Sequence, residues 1–289
     1  MSADLNIIGP GAVAIGKRTV IAPDVQFIFH KPSKIVIGDY CVIGSGTKFV
    51  CNGGDVNIGD WTSIHDRSLV LSTVGVDIGE HCWFGQHCIL DGSGGLTIGR
   101  GVRVGMYSQI WSHVAAGEQI EGCTLIGERP VTIEDDVWLV GSCIVASGVT
   151  LGKRLVALIA SNITKSWSEN TVLAGSPAMP KPNLSFYRPI TQQEKWEKLS
   201  TWLDEIAKAN NLQMQKTQFG IVLSSSKWQG VEHIGFAVDE NAADQLAQAF
   251  PDSSVCNLEN KTYSKKLSNI EALVLKSLAG NKARFYQAK

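Results

Sequence analysis

No stretch of the chain approaches the ~18 consecutive apolar residues that a membrane-spanning helix requires; runs such as LVALIA are far too short. The opening residues, MSADLNIIGPG, lack a basic region followed by a long apolar stretch, so no secretion signal is expected. Charge is scarce and balanced: 26 Lys and Arg face 27 Asp and Glu, a formal net charge of −1. That excludes a broad electrostatic attraction to nucleic acid or to an anionic membrane surface. The seven cysteines are an odd number and contain no CxxC pair, which argues against a disulfide framework or a zinc ribbon and for a reduced, cytoplasmic protein. What is abundant is apolar side chain, 44% of 289 residues, enough for one large core or two smaller ones.

Those apolar residues recur. An aliphatic residue followed by glycine appears as Ile15-Gly16, Ile37-Gly38, Ile58-Gly59, Ile78-Gly79, Ile98-Gly99 and Leu151-Gly152, and Ile133-Glu134 fits the same slot. The intervals are 22, 21, 20, 20, 35 and 18 residues. Six residues after each comes a second apolar residue: Ile21, Ile43, Ile64, Phe84, Val104, Leu139 and Ala157. A period near twenty residues marks a solenoid.

The step of six has a physical meaning. In an extended chain, positions i and i+4 face the same side. Position i+4 reads Thr19, Val25, Cys41, Thr47, Thr62, Ser68, Cys82, Cys88, Val102, Ser108, Val137, Cys143, Val149 and Leu155, almost all small or β-branched and none charged. One large and one small inward residue per short strand fill a triangular prism with three strands to a coil. Glycine at i+1 suits the corner, where backbone torsions are demanding. Cys41, Cys82, Cys88 and Cys143 then become core residues rather than metal ligands or disulfide partners.

The 35-residue interval between Ile98 and Ile133 is about fifteen residues too long. Regular coil runs through Val104 and Ile110, and then the text becomes WSHVAAGEQIEGCTLIGERPVT. A polar insertion in a solenoid maps to a loop on one face, often the functional one. This places an inserted loop at about 113–131. His113 opens it and, at i+3 from Ile110, points outward. Histidine, with an ordinary pKa of ~6.5, can take a proton from a hydroxyl near neutral pH.

The repeat [LIV]-G-x-x-[STAVC]-x resembles that of the hexapeptide-repeat acyltransferases, over roughly residues 7–182. Beyond the loop, VWLVGSCIVASGVTLG from Val137, ITKSW from Ile163 and VLAGSPAMPKP from Val172 follow the order seen in maltose- and galactoside-type sugar O-acetyltransferases. The resemblance implies a left-handed parallel β-helix, a homotrimer with active sites between subunits, and acetyl-CoA as donor. It implies His113 as general base. It also implies that backbone at Gly141, Ser142, Ala160 and Ser161 contacts the pantetheine arm, with Lys165 and Lys181 near the phosphates. The chain departs from the family at Val140 and at Leu158-Ile159-Ala160, where bulkier groups narrow the expected donor channel. Trp83, Arg103 and Trp138 all fall at i+5 on the first face of their coils, an expected outward ladder for the sugar acceptor or for the trimer interface. Gln86 is a further candidate for an acceptor hydrogen bond.

The reading is therefore a mainly β protein: a left-handed β-helix acyltransferase domain over 1–185 with an appended small α/β domain over 190–289. Its expected activity is O-acetylation of a sugar hydroxyl, of a surface polysaccharide or its precursor, by direct transfer and without a metal. N-acetylation of an amino-sugar uses the same base and fold. A non-catalytic scaffold and a metal-dependent β-helix enzyme are the rivals from other classes. For the latter, His81 and His87 sit on successive faces, ~20 Å apart by six residues at ~3.3 Å, too far to share one ion. In the C-terminal stretch, Thr191/Glu194 and Ser268/Glu271 read as capping boxes opening helices. A further helix is expected from about Asn241 to Phe250, and strands at FGIVLS and EHIGFAV.

Overall fold

The computed structural model describes residues 5–228 and 230–288. They form two compact units, one ending at Tyr187 and the next beginning at Arg188.

The first unit is a prism. Three sheets of eight, seven and nine strands carry the chain around successive coils, each strand lying parallel to its counterpart one coil earlier. The aliphatic residues of the repeat pair in register along the second sheet: Ile15 with Ile37, Ile37 with Ile58, Ile58 with Ile78, Ile78 with Ile98, Ile98 with Ile133, and Ile133 with Leu151. Ile43, Ile64, Phe84, Val104, Leu139 and Ala157 form the equivalent inner column of the third sheet. Phe27, Phe49, Val70, Leu90, Ile110, Val145 and Ile163 form that of the first. All seven of the last set are fully buried. The core is thus a stack of three-residue layers, one per coil.

The small inward slot does more than save space. Thr62 Oγ1 donates to Gly79 O of the following coil at 2.9 Å and accepts from Cys82 N at 3.0 Å. Thr19 bonds Gly38 O and Cys41 N in the same way, and Ser68 bonds Gly85 O and Cys88 N. Serine, threonine and cysteine are used there because each is a small side chain that carries a hydrogen-bonding rung to the next coil. The buried thiols are unreactive: burial pushes Cys41 up to about 12, and Cys51 and Cys88 to about 11.

The corner glycines have a different cause from the one the sequence implied. A left-handed backbone is found not at i+1 but at i+3, and mostly in residues other than glycine: Arg18, Tyr40, Trp61, His81, Asp136 and Arg154 at one edge, Arg67, His87, Tyr107, Ser142 and Ala160 at another. Beyond the first coil each such residue turns its N–H back to the preceding coil, as Trp61 N does to Asp39 O at 2.9 Å and Ser142 N to Met106 O at 2.8 Å. Glycine at i+1 is required by proximity instead. A Cβ on Gly79 would lie 2.7 Å from Gly99 C, and one on Gly105 only 2.0 Å from Val140 O.

The third sheet ends on a reversed strand, Met179–Pro180, paired antiparallel with Val172–Ala174. The second unit is a six-stranded mixed sheet with three helices: α1 (Gln192–Asn210), α2 (Glu240–Ala249) and α3 (Asn269–Leu278). Thr191 and Glu194 make both reciprocal bonds of the capping box on α1, where Leu199, Leu203 and Ile206 are buried. At α3 only half of the box forms. Ser268 caps Glu271 N, but the Glu271 carboxylate turns away to Ser254 Oγ and to the N–H groups of Lys266 and Leu267.

Gly105→Ala tests the proximity argument. With Val140 O in the path of the new methyl, the loss should reach the upper part of the ordinary range, about 2–3 kcal/mol, read as a lowered thermal midpoint. An unchanged midpoint would mean that the coils there separate freely.

Candidate active site

The interruption of the repeat is a hairpin. After Ile110 the chain places Trp111 on the outer side of the first sheet and then leaves the prism. His113–Ala115 pairs antiparallel with Ile126–Glu128, with His113 opposite Glu128. A short 3-10 turn, Gln119–Glu121, lies towards the tip and is closed by Gly122 in the left-handed region. Arg129 N donates to Ser112 O at 2.8 Å and returns the chain to the second sheet at Val131.

At its base the hairpin meets a buried carboxylate that the sequence reading did not select. Asp91 occupies an outward position on Ile89–Gly92, one coil before His113, yet it is 0% exposed. Five donors converge on it. Ser93 N and Oγ reach Oδ1 at 3.1 and 2.6 Å. Ser112 N and Oγ reach Oδ2 at 2.7 and 3.0 Å, and His113 Nδ1 lies 2.8 Å from the same oxygen. Burial works to raise the Asp91 pKa, but the bonds from Ser93, His113 and Ser112 together outweigh it, so the carboxyl is held below its ordinary 3.8. An ionised carboxylate only accepts. The proton of a neutral His113 ring therefore sits on Nδ1, and Nε2 carries the lone pair. The His113 side chain is 38% exposed, so part of the imidazole is within reach of solvent.

Trp111 completes the cluster. Its ring centroid is 5.7 Å from that of His113, at 77°. Its Nε1 donates to Gln109 Oε1 at 3.0 Å.

The other sequence-selected residues lie elsewhere on the prism. Gly141-Ser142 and Ala160-Ser161 stack on successive coils at the edge where the third sheet turns into the first, with Ala160 N bonded to Gly141 O at 2.9 Å. Gln86 lies on the same edge, its carbonyl accepting from Tyr107 N. The Ser161 side chain is buried and donates to Leu158 O at 2.6 Å, so it acts as a structural rung. Of the bulky departures, Ile159 projects outward at 68% exposure, while Val140 and Leu158 are half-buried. Lys165 is two coils past His113, on the edge where the first sheet turns into the second, and its ammonium rests 4.7 Å from the Trp167 ring centre. Lys181 is exposed, just after the reversed strand. Trp83, Arg103 and Trp138 are successive register partners on the third sheet, with both tryptophans exposed. A single chain does not bring that ladder to His113, which stands over the first. His81 stacks on Trp61, and His87 on Tyr107. Among the described residues no cluster of three or more His, Cys, Asp or Glu side chains is arranged to hold a metal ion.

No protein-family model matches the chain. Nodulation protein L of Rhizobium meliloti is 32% identical over 105 residues, which are 36% of this chain and 57% of that protein. The galactoside O-acetyltransferase of Lactococcus lactis is 28% identical over 172 residues, 58% of this chain and 72% of that enzyme. The first match therefore spans little more than half of its relative. Among solved structures, a hexapeptide transferase family protein from Anaplasma phagocytophilum is 18% identical, with 71% of this chain and 93% of that one covered at a TM-score of 0.42. In its repeat and its sequence relatives, the chain is similar to the hexapeptide-repeat acyltransferases.

The Asp91 network carries a pH test. A carboxyl held below its ordinary pKa stabilises the fold above that value and loses the effect as pH falls through the lowered one. The stability gap between the protein and Asp91→Asn should be widest above about pH 4–5 and shrink on acidification, measured by thermal unfolding. A gap independent of pH would mean that Asp91 is not an anion in the fold.

Proposed function

We propose that the chain is an acetyl-CoA-dependent O-acetyltransferase acting on a sugar hydroxyl, with His113 as general base. The observation that carries this reading is the pairing of His113 with the buried Asp91 carboxylate. Asp91 Oδ2 lies 2.8 Å from Nδ1, which favours the proton there and leaves Nε2 as the acceptor, beside the half-buried Trp111 ring. The acceptor hydroxyl gives its proton to Nε2 as its oxygen attacks the thioester carbonyl. The tetrahedral intermediate collapses, the C–S bond breaks, and the imidazolium returns the proton to the departing CoA sulfur. Asp91 stabilises the imidazolium between these steps. No covalent enzyme intermediate is needed.

One relative is named as a galactoside O-acetyltransferase, which favours a sugar hydroxyl as acceptor. The acceptor class is a surface polysaccharide or its precursor, and the site of action the cytoplasm. The prism, over 1–185, coils left-handedly and assembles as a homotrimer, as the resemblance implies. A neighbouring subunit would supply what one chain keeps apart: the Trp83–Arg103–Trp138 ladder on one face and the His113 cluster on another. Backbone at Gly141, Ser142 and Ala160 lines the pantetheine arm, and Lys165 and Lys181 lie near the phosphates.

Calorimetric titration with acetyl-CoA should give micromolar binding near one site per subunit. His113→Ala should leave that binding intact and lower turnover by about 10²–10⁴-fold, the ordinary contribution of a general base. No binding would sink the donor, and an active His113→Ala would sink the base.

A further inference from the structure

The aromatic ring beside the candidate base is not one that the repeat pattern singled out, and the residue paired across the hairpin from that base is a carboxylate. We infer that Trp111 is the platform on which the acceptor's pyranose ring stacks, and that this acceptor is a neutral sugar; both parts rest on the acetyl-transfer reading above.

Trp111 is next in line to Ile110 on the first sheet and projects outward. Among the described residues it is the only aromatic ring against His113. Its one polar atom is already bonded to Gln109, which fixes the indole and leaves its carbon face as the available surface. A pyranose has an apolar C–H face of matching size and hydroxyls around its rim. With Gln109 Oε1 committed to the indole, the Gln109 amide nitrogen remains to donate to one of those hydroxyls. On the following coil the register puts Ala146 beside Trp111, a small residue that leaves the indole uncrowded. The tryptophans of the third sheet have no such relation to the base within one chain.

The charges select the class of sugar. From His113 to Glu128 the hairpin carries Glu118, Glu121 and Glu128, with no Lys or Arg. Glu128 is the cross-strand partner of His113, and directly paired residues project to the same side. Arg129, one position on, alternates to the other side and lays its stem near Gly148, where an added Cβ would meet its Cδ at 3.2 Å. A uronic or sialic carboxylate brought to His113 would face Glu128 and the buried Asp91 anion. A neutral hexopyranoside meets no such penalty, and its hydroxyls can donate to Glu128.

The test uses the full-length protein, acetyl-CoA, and two matched acceptor panels: neutral methyl hexopyranosides and the corresponding methyl hexuronides. Trp111→Ala should raise the acceptor KM by about three- to tenfold, the scale of one aromatic stacking contact. It should leave kcat and the acetyl-CoA KM within about twofold, and Trp111→Phe should recover most of the loss. Neutral acceptors should be preferred, and Glu128→Gln should narrow the preference. An unchanged acceptor KM, or a rise in the acetyl-CoA KM instead, would overturn the role of Trp111. A preference for the uronides would overturn the choice of class. If the unaltered protein binds acetyl-CoA but acetylates no sugar, the underlying reading fails, an outcome distinct from failure of Trp111 alone.

Discussion

Everything in the first unit depends on how closely one coil lies on the next. Adjacent strands pair at about 4.8 Å, a spacing that must persist around the corners, where a chain would otherwise bulge. Two devices hold it there. Glycine at i+1 lets backbone approach backbone with no room for a Cβ, and a residue at i+3 rotates into the left-handed region so that its N–H reaches the coil before. That rotation is unfavourable by roughly 1–2 kcal/mol for a residue with a side chain. It persists because the alternative is an unsatisfied N–H at every corner. Part of the strain is offset by stacking on the outside, where the i+3 side chains line up: Tyr40 on Trp61 at 4.0 Å, Trp61 on His81 at 5.8 Å, and His87 on Tyr107 at 5.1 Å.

A lattice this regular is a good place to hold a reactive group. Asp91 and His113 are 22 residues apart in sequence, but the strand of Asp91 pairs with Gln109–Ile110, just before His113, so the spacing of the lattice sets their approach. The buried carboxylate would be a liability elsewhere, since an ionised group without partners is costly to bury. Here the chain leaving and re-entering the prism supplies the partners: Ser93 from the corner after Asp91, and Ser112 from the position before His113. Ser112 Oγ also accepts from Gly94 N at 2.9 Å, tying hairpin base and corner together. The site is therefore stiff where the proton is held and open only where the imidazole faces outward.

The sequence made the prism legible because every coil repeats the same test of size and polarity, and seven repetitions leave little freedom of register. Ile133, which lacks the following glycine, was still placed by its inward position. The position of His113 at the opening of the hairpin could be read because the repeat stops there. Asp91 was not, although the register that pairs Leu90 with Ile110 sets Asp91 level with Trp111 and next to Ser112. An acidic residue at an outward strand position looks solvated when it is read alone; only the folded-back hairpin buries it. The tryptophans illustrate the same limit. Trp83 and Trp138 were conspicuous by their periodicity, while Trp111 falls on a different face and belongs to no ladder. In the second unit, Ser268 and Glu271 stand three apart like Thr191 and Glu194, but the strand bearing Ser254 offers Glu271 a buried hydroxyl, and tertiary contact overrides the local pattern.

The division of labour between the two kinds of position follows from the geometry. Inward residues answer to packing and to the rungs between coils, so they are small hydroxyl or thiol residues, Ala, aliphatics or Phe, buried away from any reactant. Outward strand positions are tied to the lattice by backbone alone, so their side chains are free to differ from coil to coil while keeping a fixed spacing. Lys48 and Val50, Leu69 and Leu71, Ile89 and Asp91, Gln109 and Trp111, and Ile144 and Ala146 are such pairs on the first sheet. Of these, only the coils of Asp91 and Trp111 carry a hydrogen-bonding side chain at the position nearest the hairpin. A prism confines reactivity to the coil where its repeat is broken, because there the outward row, the corner and the inserted strand pair meet around one ring.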